Sequence, residues 1–243
     1  MKNIYSGLMY LLLGSVAAAQ TGAVSGVIVD QAGTAIVGAT VRYSRLPLFL
    51  PPKSGSPARL APGESYFSAS ITTDALGRHS LQNVPAGAYL VCVDAPDLPI
   101  LDPCKWDTPP LLEVTGNRTT NLDFTVWRGV FLRVRVNDPI RLLPSSESSP
   151  LAPAHLIVGV FFGTGASLAA QRVGADAGGQ DYRMAIPAGV PLDLWVVSGF
   201  VSLADQNGAA LKSTGTRIPF EAVPGVDQTF TIAVTGKLSA ATQ

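Results

Sequence analysis

Turn-forming residues punctuate the first half of this chain about every 8–12 residues, and apolar residues alternate with polar ones between them. A period of two puts successive side chains on opposite faces of a strand, whereas a half-buried helix needs a period near 3.6. "AVSGVIVD" (23–30) places Val24 and Ile28 on one side with Gly26 between them. The turn "QAGTA" leads into "IVGATVRYS" (36–44), and "ESYFSASITT" (64–73) reads as a further strand. Asp74 to Gly77 forms a tight turn, because the carboxylate accepts backbone N–H groups and glycine tolerates positive φ. Pro85-Ala86-Gly87 separates "RHSLQNV" from "AYLVCVDA", and "LLEV" and "TTNLDFTV" close the set near Val126. Residues 46–63 are too rich in proline for a central strand and are expected to form a long loop. Nothing before Val126 has the apolar spacing of a helix. About seven short strands in roughly one hundred residues predict a β-sandwich.

The second half repeats the pattern. "GVFLRVRVND" (129–138) alternates strictly, "PIRLLPSSESSPLAPA" (139–154) is a second Pro/Ser loop, and "HLIVGVFFG" (155–163) is a strongly apolar strand. "GQDYRMAIPAGVPLDLWVV" (179–197) echoes "GRHSLQNVPAGAYLVCV" (77–93), so that Ile186-Pro187-Ala188-Gly189 matches Val84-Pro85-Ala86-Gly87. "DQNGAAL" (205–211) echoes "DQAGTAI" (30–36) but comes late in its unit. The expectation is an all-β chain of two tandem sandwiches, residues 20–126 and 127–236, followed by a tail, 237–243. Recurrence of common turn chemistry is the alternative to a structural repeat.

Composition sets the compartment and removes some partners. Charge is balanced at 17 basic and 17 acidic residues, so no overall electrostatic footprint for nucleic acid or an anionic membrane surface is expected. At 47% hydrophobic residues the chain can bury a core and is not disordered. Lys2, the apolar "GLMYLLLGSVAAA" and the small residues Ala17-Ala18-Ala19 read as a signal peptide over 1–19, cleaved before Gln20. Export to the periplasm, the cell surface or the medium follows, with no membrane span after cleavage. Cys92 and Cys104 are the two cysteines, and an even count in an exported chain predicts a disulfide. Pro96, Pro99 and Pro103 lie between them, so the segment is expected to leave the sheet without pairing as a strand and loop back.

"GAVSGVIVDQAGTAIVGATVRYS" followed by "TTDALGRHSLQNVPAGAYLVCV" resembles the carboxypeptidase regulatory-like domain, a transthyretin-like sandwich related to the B-type repeats of bacterial collagen adhesins. The resemblance covers about residues 20–126. It rests on Gly22, Gly26, Val29, Asp30, Gly33, Ile36, Gly38, Ala39 and Val41, then on Thr73, Asp74, Gly77, Leu81, Val84, Pro85, Gly87 and Tyr89. These are turn formers and core hydrophobes, which specify a fold and not an active site. His79 stands where the family usually has an aromatic, as either a core substitution or an edge residue. The resemblance implies a spacer, an adhesin stalk, an accessory module beside a catalytic domain or a plug of a surface transport system. Some adhesin repeats carry a lysine isopeptide crosslink, but residues 20–45 contain no lysine and Lys53 lies in the proline-rich loop.

Motifs for chemistry are missing from the sequence. His79 and His155 have no metal-ligand neighbour at useful spacing, and there is no Gly-x-Ser-x-Gly elbow, phosphate loop or calcium loop. No catalytic residue, cofactor or metal is therefore expected, and the chain is read as a non-enzyme. "DAPDLPILD" (94–102) gathers Asp94, Asp97 and Asp102, as Ca²⁺ ligands or as solvated turn residues. Of the tryptophans, Trp195 is expected in the core, Trp127 at the junction of the sandwiches, and Trp106 either capping a sandwich end or offering a sugar-stacking platform. The expected function is an exported binding, spacer or surface-interaction module whose partner is a protein or glycan at the cell surface. The alternative is a carbohydrate-binding module using Trp106, Asp97 and Asp102.

Overall fold

The computed structural model describes residues 20–50, 59–61, 65–143, 156–163, 165–213 and 215–238. The expected signal peptide, residues 1–19, together with Lys53, His155 and the last five residues, lies outside them. The described chain is almost entirely β.

The first half contains β1 (Thr21–Asp30), β2 (Thr40–Arg45), β3 (Phe49–Leu50), β4 (Arg59–Leu60), β5 (Ser68–Thr72), β6 (Arg78–Pro85) and β7 (Gly87–Asp94). It continues with β8 (Ile100–Leu101), a single helical turn α1 (Pro103–Trp106), β9 (Leu111–Val114), β10 (Thr119–Asn121) and β11 (Phe124–Arg128). One sheet centres on β1, flanked by β6 on one side and by β10 and then β11 on the other, with β8 beyond β11; the facing sheet runs β5-β2-β7-β9. Inward-pointing Val24, Ile28, Val41, Tyr43, Val84, Tyr89, Val91 and Val126 pack between them. The proline-rich loop is not wholly irregular, because β3 and β4 form a two-stranded ribbon within it, outside both sheets.

The second half contains β12 (Val130–Asn137), β13 (Ile157–Phe162), β14 (Ala166–Ala169), β15 (Gln171–Asp176), β16 (Gly179–Ile186) and β17 (Pro191–Val197). β18 (Val201–Ala204), β19 (Ala210–Leu211), β20 (Thr216–Glu221) and β21 (Gln228–Lys237) complete it. Its sheets run β15-β16-β12-β21-β18-β19 and β14-β13-β17-β20 around a separate cluster that includes Leu132, Val134, Val160, Ile186, Leu194 and Ile232.

The pairing pattern of the first half recurs in the second. β1 pairs antiparallel with β6 and parallel with β11, as β12 pairs with β16 and β21. β2 lies between β5 and β7, with β9 beyond β7, as β13 lies between β14 and β17, with β20 beyond β17. The Pro-Ala-Gly echo marks equivalent connections, β6 to β7 and β16 to β17. The "DQ-x-G" echo is turn chemistry alone. Asp30 Oδ1 accepts the N–H groups of Ala32 and Thr34, and Asp205 Oδ1 accepts those of Asn207 and Ala209. Asp74 does the same for Leu76 and Arg78. In each turn the glycine three residues after the aspartate sits at φ between 71° and 81°, where a Cβ would be strained.

Candidate functional site

The most elaborate local structure lies where the two halves meet, and the segment between the cysteines builds it. Cys92 and Cys104 are bonded, with their Cα atoms 5.3 Å apart. Asp102 is buried, and its Oδ1 accepts the Cys104 N–H at 2.9 Å, so it caps α1 with proline at the first helical position. Oδ1 also takes the Val93 N–H at 3.4 Å, and Oδ2 lies 3.7 Å from the Lys105 ammonium. Crosslink and cap together fix α1 against β7. That fixes Trp106, whose ring meets Phe162 of β13 at 5.2 Å between centroids and packs against the second core. Asp97 reaches Arg183 of β16 at 3.6 Å. The Arg183 guanidinium lies 4.9 Å from the centre of the Phe131 ring, and Arg133 lies 5.2 Å from the same ring.

The covalent connection is equally close. β11 ends at Arg128 and β12 starts at Val130, so Gly129 alone joins the halves. Its N–H donates to the Pro99 carbonyl at 2.7 Å, and a Cβ here would collide with the Ile186 carbonyl. Arg128 is held at both ends: its N–H donates to the Gln31 side chain at 2.9 Å and its Nε to Asp30 at 2.6 Å. The Arg128 hydrogen bond, helped by the N–H groups of Thr34 and Ala32, holds the Asp30 carboxyl below the usual carboxylate range.

Several sequence expectations change. The intercysteine segment does pair, because β8 lies antiparallel to β11, matching Leu101 with Trp127 and Ile100 with Arg128. Its prolines fall outside the two paired residues, so no ladder donor is lost. Trp127 is not at the packed junction; it is 59% exposed, and Trp106 fills that place. Trp195 is not core. Leu192, Leu194 and Val196 point inward, which turns Asp193 and Trp195 outward. There Trp195 meets Phe161 edge to face at 5.3 Å, and Arg217 lies 4.0 Å over the Phe161 ring. Asp193 preceding Trp195 by two was the available signal for its face. Asp97, Asp102 and Trp106 do not form one open platform: Asp102 is buried as a cap, Trp106 packs on Phe162, and the Asp97 side chain is 94% exposed beside Arg183. Asp102 and Trp106 do border a cavity of about 90 Å³, which Phe131 and Met184 also line.

His79 is a core residue. It is buried 6.2 Å from the Tyr43 ring, and neither ring nitrogen has a hydrogen-bond partner. Burial pushes its pKa below 6.5, opposed in part by the Asp123 charge. The Tyr43 hydroxyl is likewise unpartnered, and burial raises its pKa. Among the described residues the one cluster of three possible metal ligands is Cys92, Asp102 and Cys104, and both sulfurs are spent in the disulfide. Larger cavities of about 540, 460 and 400 Å³ lie beside Asp138, Phe161 and Arg133, and His79 lines none of them. No helix of the described residues is long and apolar enough to cross a membrane.

No family model matches the chain, and neither does any curated protein. Solved structures with a similar arrangement include the Bacillus anthracis TIE protein, 12% identical with a TM-score of 0.33 over 89% of this chain and 34% of that one. The Streptococcal ancillary pilin is 14% identical with a TM-score of 0.37 over 89% of this chain and 63% of that one. The minor pilin of Streptococcus agalactiae is 10% identical with a TM-score of 0.36 over 90% and 99%. The chain spans about a third of the first of these and under two thirds of the second. None reaches a score at which topology or function transfers.

Proposed function

We propose that this is an exported, non-catalytic two-sandwich protein that acts as a spacer, holding a binding or surface-interaction face at a fixed distance and angle for a protein or glycan partner at the cell surface. The resemblance of residues 20–126 to carboxypeptidase regulatory-like modules supports the class. The observation that carries the spacer reading is the junction: a single glycine links the halves, its N–H is bonded to the loop of the first, and Trp106 wedges against the second. A flexible connection would use several exposed polar residues instead. The carbohydrate alternative gains nothing at Trp106, whose ring packs on Phe162.

Rotational diffusion tests the reading. NMR relaxation on the chain from Gln20 onward should give one correlation time for both halves. A variant with several glycine and serine residues inserted after Gly129 should give two. Two correlation times in the unmodified protein would reject the spacer.

A further inference from the structure

We infer that Arg183 anchors a binding site for an oxyanion (a carboxylate, sulfate or phosphate group) in the cavity of about 400 Å³ on the outer face of β12, β15 and β16. On β12, Val130, Leu132, Val134 and Val136 point into the core, which turns Arg133 and Arg135 outward. The register sets Arg135 directly opposite Asp181 and Arg133 directly opposite Arg183. The first pairing attracts and the second repels. These arginines are not equally used. Arg135 donates from each of its nitrogens, to Asp181 at 2.8 Å, Asp176 at 2.7 Å and Asn137 at 3.3 Å. Arg133 donates its Nε to Asp227 at 3.0 Å, and its Nη2 lies 3.0 Å from the same carboxylate oxygen. Arg183 donates no hydrogen bond among the described residues. Its ion-pair partner Asp97 stands 3.6 Å away on a side chain that is 94% exposed, whereas the Arg183 side chain is only 22% exposed.

Chemistry selects the occupant. A cation largely withdrawn from water with its donors unspent is costly, and a guanidinium offers an oxyanion two parallel N–H groups in a fixed fork. An anion held there would also relieve the repulsion between Arg183 and Arg133. The cavity has room for it. β15 carries a bulge at this point, with Val173 as the extra residue and Gly174 opposite Asp181. Gly174 has no side chain to fill the opening, and a Cβ there would meet nothing nearer than an Asp181 oxygen at 3.4 Å. Asp181 is the one carboxylate among the described residues lining the cavity, and its Oδ2 is already bonded to Arg135, so its charge is offset. The Thr229 hydroxyl side chain lines the same space. Arg183 also lines the cavity of about 90 Å³ beside Trp106 and Lys105, so the site adjoins the junction of the halves. The inference goes beyond the spacer reading and does not depend on it.

The test is titration of the chain from Gln20 onward with sodium sulfate, phosphate, acetate and galacturonate in turn, at constant ionic strength, followed by calorimetry and by the Nε–Hε resonances of the arginines. At least one anion should saturate, with the Arg183 resonance moving most. Preference for sulfate or phosphate assigns the site to a tetrahedral group, and preference for acetate or galacturonate to a planar carboxylate. Arg183→Gln should weaken binding at least about tenfold. Gly174→Leu should weaken it by narrowing the cavity while leaving every charge in place. Lys212→Gln, which removes one positive charge at an exposed position elsewhere, should leave affinity unchanged. Melting midpoints establish that the variants are folded, and Gly174→Leu keeps the test decisive should Arg183→Gln misfold. Shifts that fail to saturate with all four anions, or equal affinity in wild type and folded Arg183→Gln, would overturn the inference.

Discussion

The first core buries Tyr43 and His79 with the hydroxyl and both imidazole nitrogens unpartnered, whereas the buried tyrosine of the second core, Tyr182, donates its hydroxyl to the Gln180 side chain at 2.7 Å. The two cores share a pairing pattern, so the difference lies in what fills it. Each unsatisfied buried polar group costs about 1–3 kcal/mol. The first half bears that cost at three atoms of Tyr43 and His79 and also carries the disulfide, whereas in the second half Asp138 Oδ1 is left unpartnered. We read the crosslink as offsetting an imperfect interior, and the second half as reaching stability through apolar packing. At the junction the stapled half supplies the wedge, Trp106, and the other half supplies the surface it meets.

The largest expected effect concerns the second core. Leu194→Ala should destabilise it by about 2–5 kcal/mol, because a fully buried leucine leaves a cavity. If residues 20–126 and 127–236 are separate units, as we propose, calorimetry should show one transition moving and the other staying. A single transition moving as a whole would merge the two regions being compared. Next comes the crosslink. Replacing Cys92 and Cys104 by serine closes no loop in the unfolded chain and should cost the first half about 3 kcal/mol, read from urea unfolding. Alkylation of the denatured, unreduced protein should label neither cysteine.

Acid should separate the halves more gently. Burial disfavours the charged His79, so its folded pKa lies below 6.5 and the unfolded chain binds the proton more readily. Stability is therefore whole above about pH 6.5 and falls as pH drops from there toward the folded value, by at most about 1.4 kcal/mol per pH unit. His79→Phe should flatten the urea midpoint of the first half across that window; an unchanged slope would show that His79 is not the group titrating. The smallest effect is the sharpest comparison. Tyr43→Phe removes an unpartnered hydroxyl and should leave stability equal or raise it by up to about 1 kcal/mol, whereas Tyr182→Phe breaks a made bond and should cost about 1 kcal/mol. Equal losses at both positions would erase the distinction between the cores.

Strands and turns were legible because their signals are local. Asp74 to Gly77 forms the expected turn, and the cysteines are bonded as their spacing and compartment suggested. The tryptophans were harder, since a strand's parity decides which face a residue takes and "LDLWVV" is apolar at several successive positions. At Trp127 the signal existed: Thr125 is exposed on the same face, opposite buried Val126. Trp106 could not be placed from the sequence, because its partner Phe162 belongs to another sheet and proximity along the chain does not relate them. The candidate acids were misleading for a different reason. Asp102 is a helix cap and Asp97 an ion-pair partner, and both roles use the residue type that a ligand site would use.

The single-residue connection has a mechanical consequence. β1 and β11 are parallel neighbours, in register from Ile28 with Phe124 to Asp30 with Val126, and β12 and β21 are parallel neighbours from Leu132 with Gln228 to Asn137 with Ala233. Tension applied at the start of β1 and the end of β21 passes from β11 through Gly129 directly into β12. In each half it then pulls two parallel strands from opposite ends. Such a load slides the strands past one another and strains the ladder hydrogen bonds together, whereas peeling at a hairpin would break them one by one. Both sandwiches are thus loaded in shear and in series, and extension of the molecule must wait for the collective rupture of a ladder. Its lifetime under tension is set by that unfolding rate.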